Sequence, residues 1–167
     1  MGRILVAYYS AQDHTRRIAQ TIADRLGADV FEIQPAEPYT EADLDWTNND
    51  SRVTREHNNE AEREMELAQL TPENWSEYDT IILGYPIWWG IAAWPVNAFL
   101  KGNIFADKTV IPFAVSHSSP LGGSDKLLLN YVSGVKDWRD GIRFSQDINE
   151  DALEAWVKGL GLISDEE

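Results

Sequence analysis

Ser10-Ala11-Gln12-Asp13-His14-Thr15 lies between the apolar run Ile4–Tyr9 and a helical pattern from about Arg16 to Leu26. A buried strand, a short polar turn and a helix start make an anion site. The first-turn N–H groups lack intrahelical partners, and the aligned peptide dipoles favour negative charge there. Ser10 and Thr15 add a hydroxyl at each end of the turn, and His14 is a further donor if its ring turns inward. Phosphate suits such a loop, although the same residues also read as an ordinary capping turn. The loop has no Lys and no glycine pair, so it is neither a triphosphate loop nor the glycine-rich dinucleotide fingerprint.

Two further segments could act with it. Tyr85-Pro86-Ile87-Trp88-Trp89-Gly90, followed by Trp94-Pro95, puts three tryptophans within seven residues. They sit at a strand end beside Pro and Gly, where a planar heteroaromatic ring can be held by stacking. Packing of these aromatics on the next helix is the plainer alternative. Ser116-His117-Ser118-Ser119-Pro120-Leu121-Gly122-Gly123-Ser124 offers hydroxyl donors and acceptors, and its glycine pair lets the backbone approach a ligand closely. It reads equally as a flexible loop with helix caps.

Each segment must be placed by the element before it. Residues 4–9, 80–85 and 109–115 are near-continuous apolar runs, as parallel strands covered on both faces require. Residues 29–33 alternate and fit a strand nearer an edge, and a weaker fifth strand is expected near Asp140–Phe144. Helices are expected between them. Ile18, Ile22 and Leu26 share one face, with Gly27 as a stop. Pro95 can open a helix through Leu100. Gly123 or Ser124 can open another through Val132, with Leu127, Leu128 and Tyr131 towards the core. Asn149 can cap a last helix whose apolar face is Leu153, Trp156, Val157 and Leu160. Alternating strands and helices predict an α/β domain with a parallel sheet. Ligands then bind at the C-terminal strand ends, where all three loops lie. Residues 34–78 break the rhythm: Glu60–Leu70 looks helical, and Asp43–Asn59 reads as an irregular polar excursion.

At 167 residues, 43% hydrophobic and 25% charged, the chain suits one domain spanning residues 1–167. It has no cysteine, which excludes disulfides and thiolate chemistry, and its three histidines show no metal-ligand spacing. No apolar run approaches the roughly 20 residues of a membrane span, and no leader pattern is evident, so a cytoplasmic location is expected. The net charge of −14 opposes nucleic acid and anionic membranes. From Glu37 to Asp79 there are 13 Asp and Glu against three Arg and no Lys, either a solvated face or a surface for a basic partner protein.

The order and chemistry of the three loops resemble the flavodoxin-like family, in particular short bacterial members with Pro-x-Trp-Trp-Gly, here Pro86-Ile87-Trp88-Trp89-Gly90. The resemblance spans about residues 3 to 162. It implies a doubly wound five-stranded sheet in the order 2-1-3-4-5 with helices on both faces. It also implies non-covalent FMN and electron transfer with redox partner proteins. Ser10, Gln12, His14 and Thr15 would hold the phosphate. Pro86, Ile87, Trp88, Trp89 and Gly90 would face the ring, with Ser116, His117, Ser118 and Gly122 at its edge and the ribityl chain. Asp13-His14 replaces the Gly-Asn common in relatives, so the Asp13 carboxylate is expected to point outward. The alternatives are an FMN-dependent NAD(P)H:quinone oxidoreductase on the same fold, whose open ring face the Asp43–Asn59 excursion could shape or cover, and a non-redox binding module. A receiver domain would need an acidic cluster at strand ends, and Asp79 instead precedes its strand. The Gly-x-Ser-x-Gly elbow of a hydrolase is absent.

Overall fold

The computed structural model describes residues 3–162. The chain ends beyond them, expected to share the same domain, lie outside the described residues. Five strand positions run parallel: β2 (Asp29–Glu32), β1 (Arg3–Tyr8), β3 (Tyr78–Trp88) and β5 (Phe105–Ser116), with the fifth shared by β6 (Val135–Trp138) and β7 (Ile142–Ser145). β6 pairs with the first half of β5 and β7 with its second half. The expected order is therefore found, with the fifth strand broken around Asp140. The break is held by Asp125, a buried carboxylate that accepts from the Gly141 N–H at 2.8 Å and the Lys126 N–H at 3.0 Å. β4 (Ile91–Ala92) is a short antiparallel return on the end of β3.

The period of two along β1 and β3 divides the core. Leu5, Ala7, Tyr9, Ile81 and Leu83 face one layer, packed with Val96 and Phe99 of α3 (Pro95–Gly102). Val6, Tyr8 and Ile82 face the other, against Ile18 and Ile22 of α1 (His14–Leu26) and Leu153 and Val157 of α5 (Glu150–Gly159). Phe113 closes over Gly84, where an added Cβ would lie 2.2 Å from the ring. Gly27 ends α1 at φ 63°, and the Asn149 side chain caps α5, both as the residue types predict.

Two expected helices do not form. Gly123 to Val132 is not one helix. α4 (Ser124–Leu127) gives way to a 3₁₀ turn over Leu128–Tyr131, and this rotates Leu127 into solvent while Leu128 stays buried. Glu60–Leu70 is not helical beyond a 3₁₀ turn at Glu60–Arg63. Leu67 instead forms a bridge to Pro35, with Ala36 N–H donating to Glu66 and Ala68 N–H to Gln34. Conversely, the excursion expected to be irregular contains α2 (Arg52–Asn58), capped by the Ser51 side chain.

Candidate functional site

The C-terminal ends of β1, β3, β5 and β7 surround a crevice of about 480 Å³. It gathers ten of the thirteen residues expected there: Gln12, His14, Thr15, Pro86, Ile87, Trp88, Trp89, Ser116, His117 and Ser118. Ser10, Gly90 and Gly122 lie outside its lining. Ser10 sits at the start of α1, where its hydroxyl oxygen accepts from the first-turn Arg16 N–H at 3.2 Å. Gly90 and Gly122 are exposed at turns with φ of 80° and 53°. No carboxylate and no Lys or Arg lines the crevice among the described residues.

At the start of α1, Arg17 N–H bonds to Asp13 and Arg16 N–H to Ser10. The N–H groups of His14 and Thr15, the first two helical positions, have no carbonyl four residues back to bond within the helix. Thr15 is 2% exposed, yet it borders the crevice. Asp13 turns the chain at φ 70° with its carboxylate in solvent, paired to the Arg16 guanidinium. The acidic group is thus directed away from the cradle, as expected. Nδ1 of His14 lies 2.9 Å from the Arg17 guanidinium, which can only donate, so Nδ1 accepts and Nε2–H is the ring's remaining donor.

The tryptophan segment is a hairpin rather than a loop. β3 continues through Trp88, turns at Trp89-Gly90 and returns as β4, with Ile87 opposite Ala92 and Trp88 opposite Ile91. Both turn residues have positive φ, 49° and 80°, the signature of a primed two-residue turn. For a tryptophan this conformation costs roughly 1–2 kcal/mol. Packing offsets it: Trp89 stacks on His57 with ring centroids 4.2 Å apart and on Trp94 at 6.0 Å. Trp88 packs edge-on against Trp94, Tyr39 and Tyr9 at 4.8, 5.5 and 5.7 Å. Its ring is half-buried and much of its contact is with protein.

The third loop is clamped from β7. Arg143 donates to the Ser116 hydroxyl at 2.8 Å and to the Ser116 and His117 carbonyls at 2.9 Å. The Ser116 hydroxyl in turn donates to the Ser119 carbonyl. Ser116 therefore shapes the wall, while Ser118 and His117 are exposed along it.

A fourth wall completes the crevice, from the excursion expected to shape or cover a pocket. Leu44, Trp46 and Val53 come from the excursion, and Gln146 follows β7. α2 is fixed by Glu56, which is 7% exposed and accepts from the Trp94 indole N–H at 2.9 Å, the Arg52 guanidinium at 3.1 Å and the Tyr39 hydroxyl. Burial pushes the Tyr39 hydroxyl pKa up and its bond to Glu56 adds to that, so Tyr39 donates as a neutral phenol.

A model of the flavodoxin family matches residues 3–160. The chain belongs to that family. Among solved structures it is similar to a candidate flavoprotein from Bacteroides eggerthii DSM 20697, with 37% identity and a TM-score of 0.85 over 96% of this chain and 99% of that one. A candidate flavoprotein from Bacteroides uniformis ATCC 8492 is 38% identical, with a TM-score of 0.85 over 94% and 98%. A flavoprotein from Lactobacillus acidophilus NCFM, solved in complex with FMN, shares the fold at 21% identity and a TM-score of 0.64 over 93% and 99%. No curated protein matches. The flavodoxin fold thus underlies a strand-end crevice whose fourth wall comes from residues 44–53. No described helix is long and apolar enough to cross a membrane.

Proposed function

We propose that the crevice binds FMN non-covalently and that the protein is an electron carrier. One observation carries this reading. In a chain of net charge −14, the crevice is free of carboxylates and opens onto the start of α1. Such a cradle suits a phosphate dianion held by N–H dipoles without a counter-cation. The fit extends to the rest of the cofactor. A volume of about 480 Å³ lies within the usual range for small-ligand sites, roughly 300–1,000 Å³, and the lining includes the aromatic side chains Trp88 and Trp89.

In this reading the His14 and Thr15 N–H groups and the Thr15 hydroxyl bind the phosphate. The Ser10 hydroxyl oxygen accepts from Arg16, which leaves its proton free to donate. Gln12 and the His14 Nε2–H complete the donor set. Trp88 and Trp89 exclude water from the ring, and the third loop, held by Arg143, offers polar groups to its edge and ribityl chain. Bound FMN supplies one- and two-electron redox chemistry, and the protein tunes it through stacking, polarity and hydrogen bonding. The acidic surface suits a redox partner with a basic docking face.

Adding the protein to FMN and following flavin fluorescence tests the cofactor. Quenching and a yellow protein after gel filtration are expected. A colourless protein that leaves the fluorescence unchanged overturns the reading. Mixing the loaded protein with NADPH separates carrier from enzyme, and a carrier is not bleached by NADPH alone.

A further inference from the structure

Asp13 occupies the N-cap of α1 without capping it. Aspartate is among the residues most favoured at this position, because in an extended conformation its carboxylate accepts from the second or third helical N–H. Those donors here are Thr15 and Arg16. Asp13 instead stands at φ 70°, makes no side-chain bond to the helix, and has a side chain that is 65% exposed. The Ser10 hydroxyl takes the Arg16 N–H in its place. The left-handed conformation is unfavourable for a residue with a Cβ and persists only where the surroundings hold it.

Arg16 is the group that holds it. Its guanidinium pairs with the Asp13 carboxylate and with the carboxylate of Glu32, the last residue of β2. Asp13 is thereby tied to the sheet through one side chain. On helix grounds the position is poor for an arginine. A cation near a helix start opposes the macrodipole, and α1 has no acidic residue in its first turn. Arg16 is not in the crevice lining either, so it is not a ligand of the phosphate. Its partners are the two carboxylates nearest the start of α1 in sequence and in the sheet.

We propose that Arg16 is a positioning residue for the phosphate: it keeps the Asp13 carboxylate off the Thr15 N–H, for which carboxylate and phosphate compete. Released from Arg16, Asp13 turns extended, caps α1 as its residue type favours, and fills the donor site with its own negative charge. A ligand phosphate must then displace it. The apparent affinity falls by the fraction of molecules in which the site stays open. This inference rests on the FMN reading, which assigns that N–H group to the phosphate.

Four proteins separate this role from a general effect of charge: the parent, Arg16→Gln, Asp13→Gly and the double variant. Glycine removes the carboxylate and adopts a positive φ at no steric cost. Each protein is titrated with FMN and with riboflavin, which has the same ring and ribityl chain but no phosphate. Arg16→Gln should weaken FMN binding about tenfold, as when the open fraction falls to about one in ten. In the Asp13→Gly background the same change should cost less than about threefold, because coupled residues are non-additive and Glu32 is then the one carboxylate left unpaired. Riboflavin affinity should be the same in all four proteins. A larger loss of FMN affinity in the Asp13→Gly background overturns the proposal, since Arg16 then acts by its charge alone. Unchanged FMN affinity in Arg16→Gln also overturns it, as does riboflavin affinity falling in step with FMN, the mark of a disturbed fold. These failures differ from failure of the FMN reading, in which the parent binds neither flavin and the proposal falls with it.

Discussion

The imidazole of His57 lies flat on the indole of Trp89, with centroids 4.2 Å apart and planes 14° from parallel. This contact joins the end of α2 to the turn of the tryptophan hairpin, two segments separated by the whole of β3. It also supports a tryptophan held at positive φ, a conformation that persists where the surroundings determine it. His57→Ala should free the Trp89 side chain. The near-UV circular dichroism of the tryptophans should weaken, and FMN should bind about threefold less tightly, consistent with the loss of about 0.5–1 kcal/mol of stacking. His57→Phe should recover both. An unchanged spectrum and FMN affinity in the alanine variant would show that Trp89 is positioned by other contacts.

Glu56 is the next dependency. Its carboxylate satisfies the indole N–H of Trp94, a fully buried side chain, and the hydroxyl of Tyr39. Glu56→Ala leaves both donors without their acceptor and the Arg52 guanidinium with only the Glu37 carbonyl, and should cost about 2–4 kcal/mol in urea unfolding. A loss under about 0.5 kcal/mol, the size of a neutral surface change, would mean that water replaces the carboxylate at no penalty.

Thr15→Ala should separate binding from folding. FMN affinity, read by fluorescence quenching, should fall about fivefold through loss of one hydroxyl contact to the phosphate, roughly 1 kcal/mol. The circular dichroism should not change. Equal affinity in variant and parent would remove Thr15 from the phosphate site.

A pH dependence follows from the far end of the sheet. Tyr78 donates to Asp29 at 2.7 Å, and Arg3 also donates to that carboxylate at 2.6 Å. Burial, then the bond to Asp29, pushes the Tyr78 hydroxyl up to about 12. An unfolded tyrosine loses its proton near about 10, so the folded state holds more protons between those values and stability falls as pH rises through that window. The bond from Tyr78, then that from Arg3, holds the Asp29 carboxyl below its ordinary value, so its contribution is present above about 4 and is lost as pH falls. Urea midpoints across pH should show both slopes. Tyr78→Phe should reduce both slopes, with the buried hydroxyls of Tyr9, Tyr39 and Tyr85, also raised by desolvation, carrying the rest of the alkaline one, and an identical profile for this variant would refute the assignment.

Local pattern was enough for the sheet. The apolar runs of β1, β3 and β5 are long and uninterrupted because those strands are covered on both faces, and the alternation of β2 matches its edge position. The helix start bordering the crevice was legible for the same reason, since a strand, turn and helix in succession fix the direction of their own backbone N–H groups. Pro86 to Gly90 marked the aromatic end by residue type alone, though not as a hairpin, because a Trp-Gly turn at positive φ lacks the usual Asn or Asp signal.

Residues 34–78 are where sequence failed, and tertiary contact is the reason. Glu60–Leu70 has charge and sparse apolar anchors enough for a helix, but Glu66 and Ala68 find backbone partners beside β2 instead. α2 has little apolar periodicity of its own and exists because Glu56 reaches Trp94 and His57 reaches Trp89. Trp46 was an isolated aromatic in a polar run, without a strand end to mark it as part of a site. The sequence by itself determined the parallel sheet, the helix start at its strand ends and the tryptophans beside it. Tertiary structure alone decided that an acidic excursion folds back on those tryptophans, because the bonds that hold it join residues too distant in the chain for any local period to record.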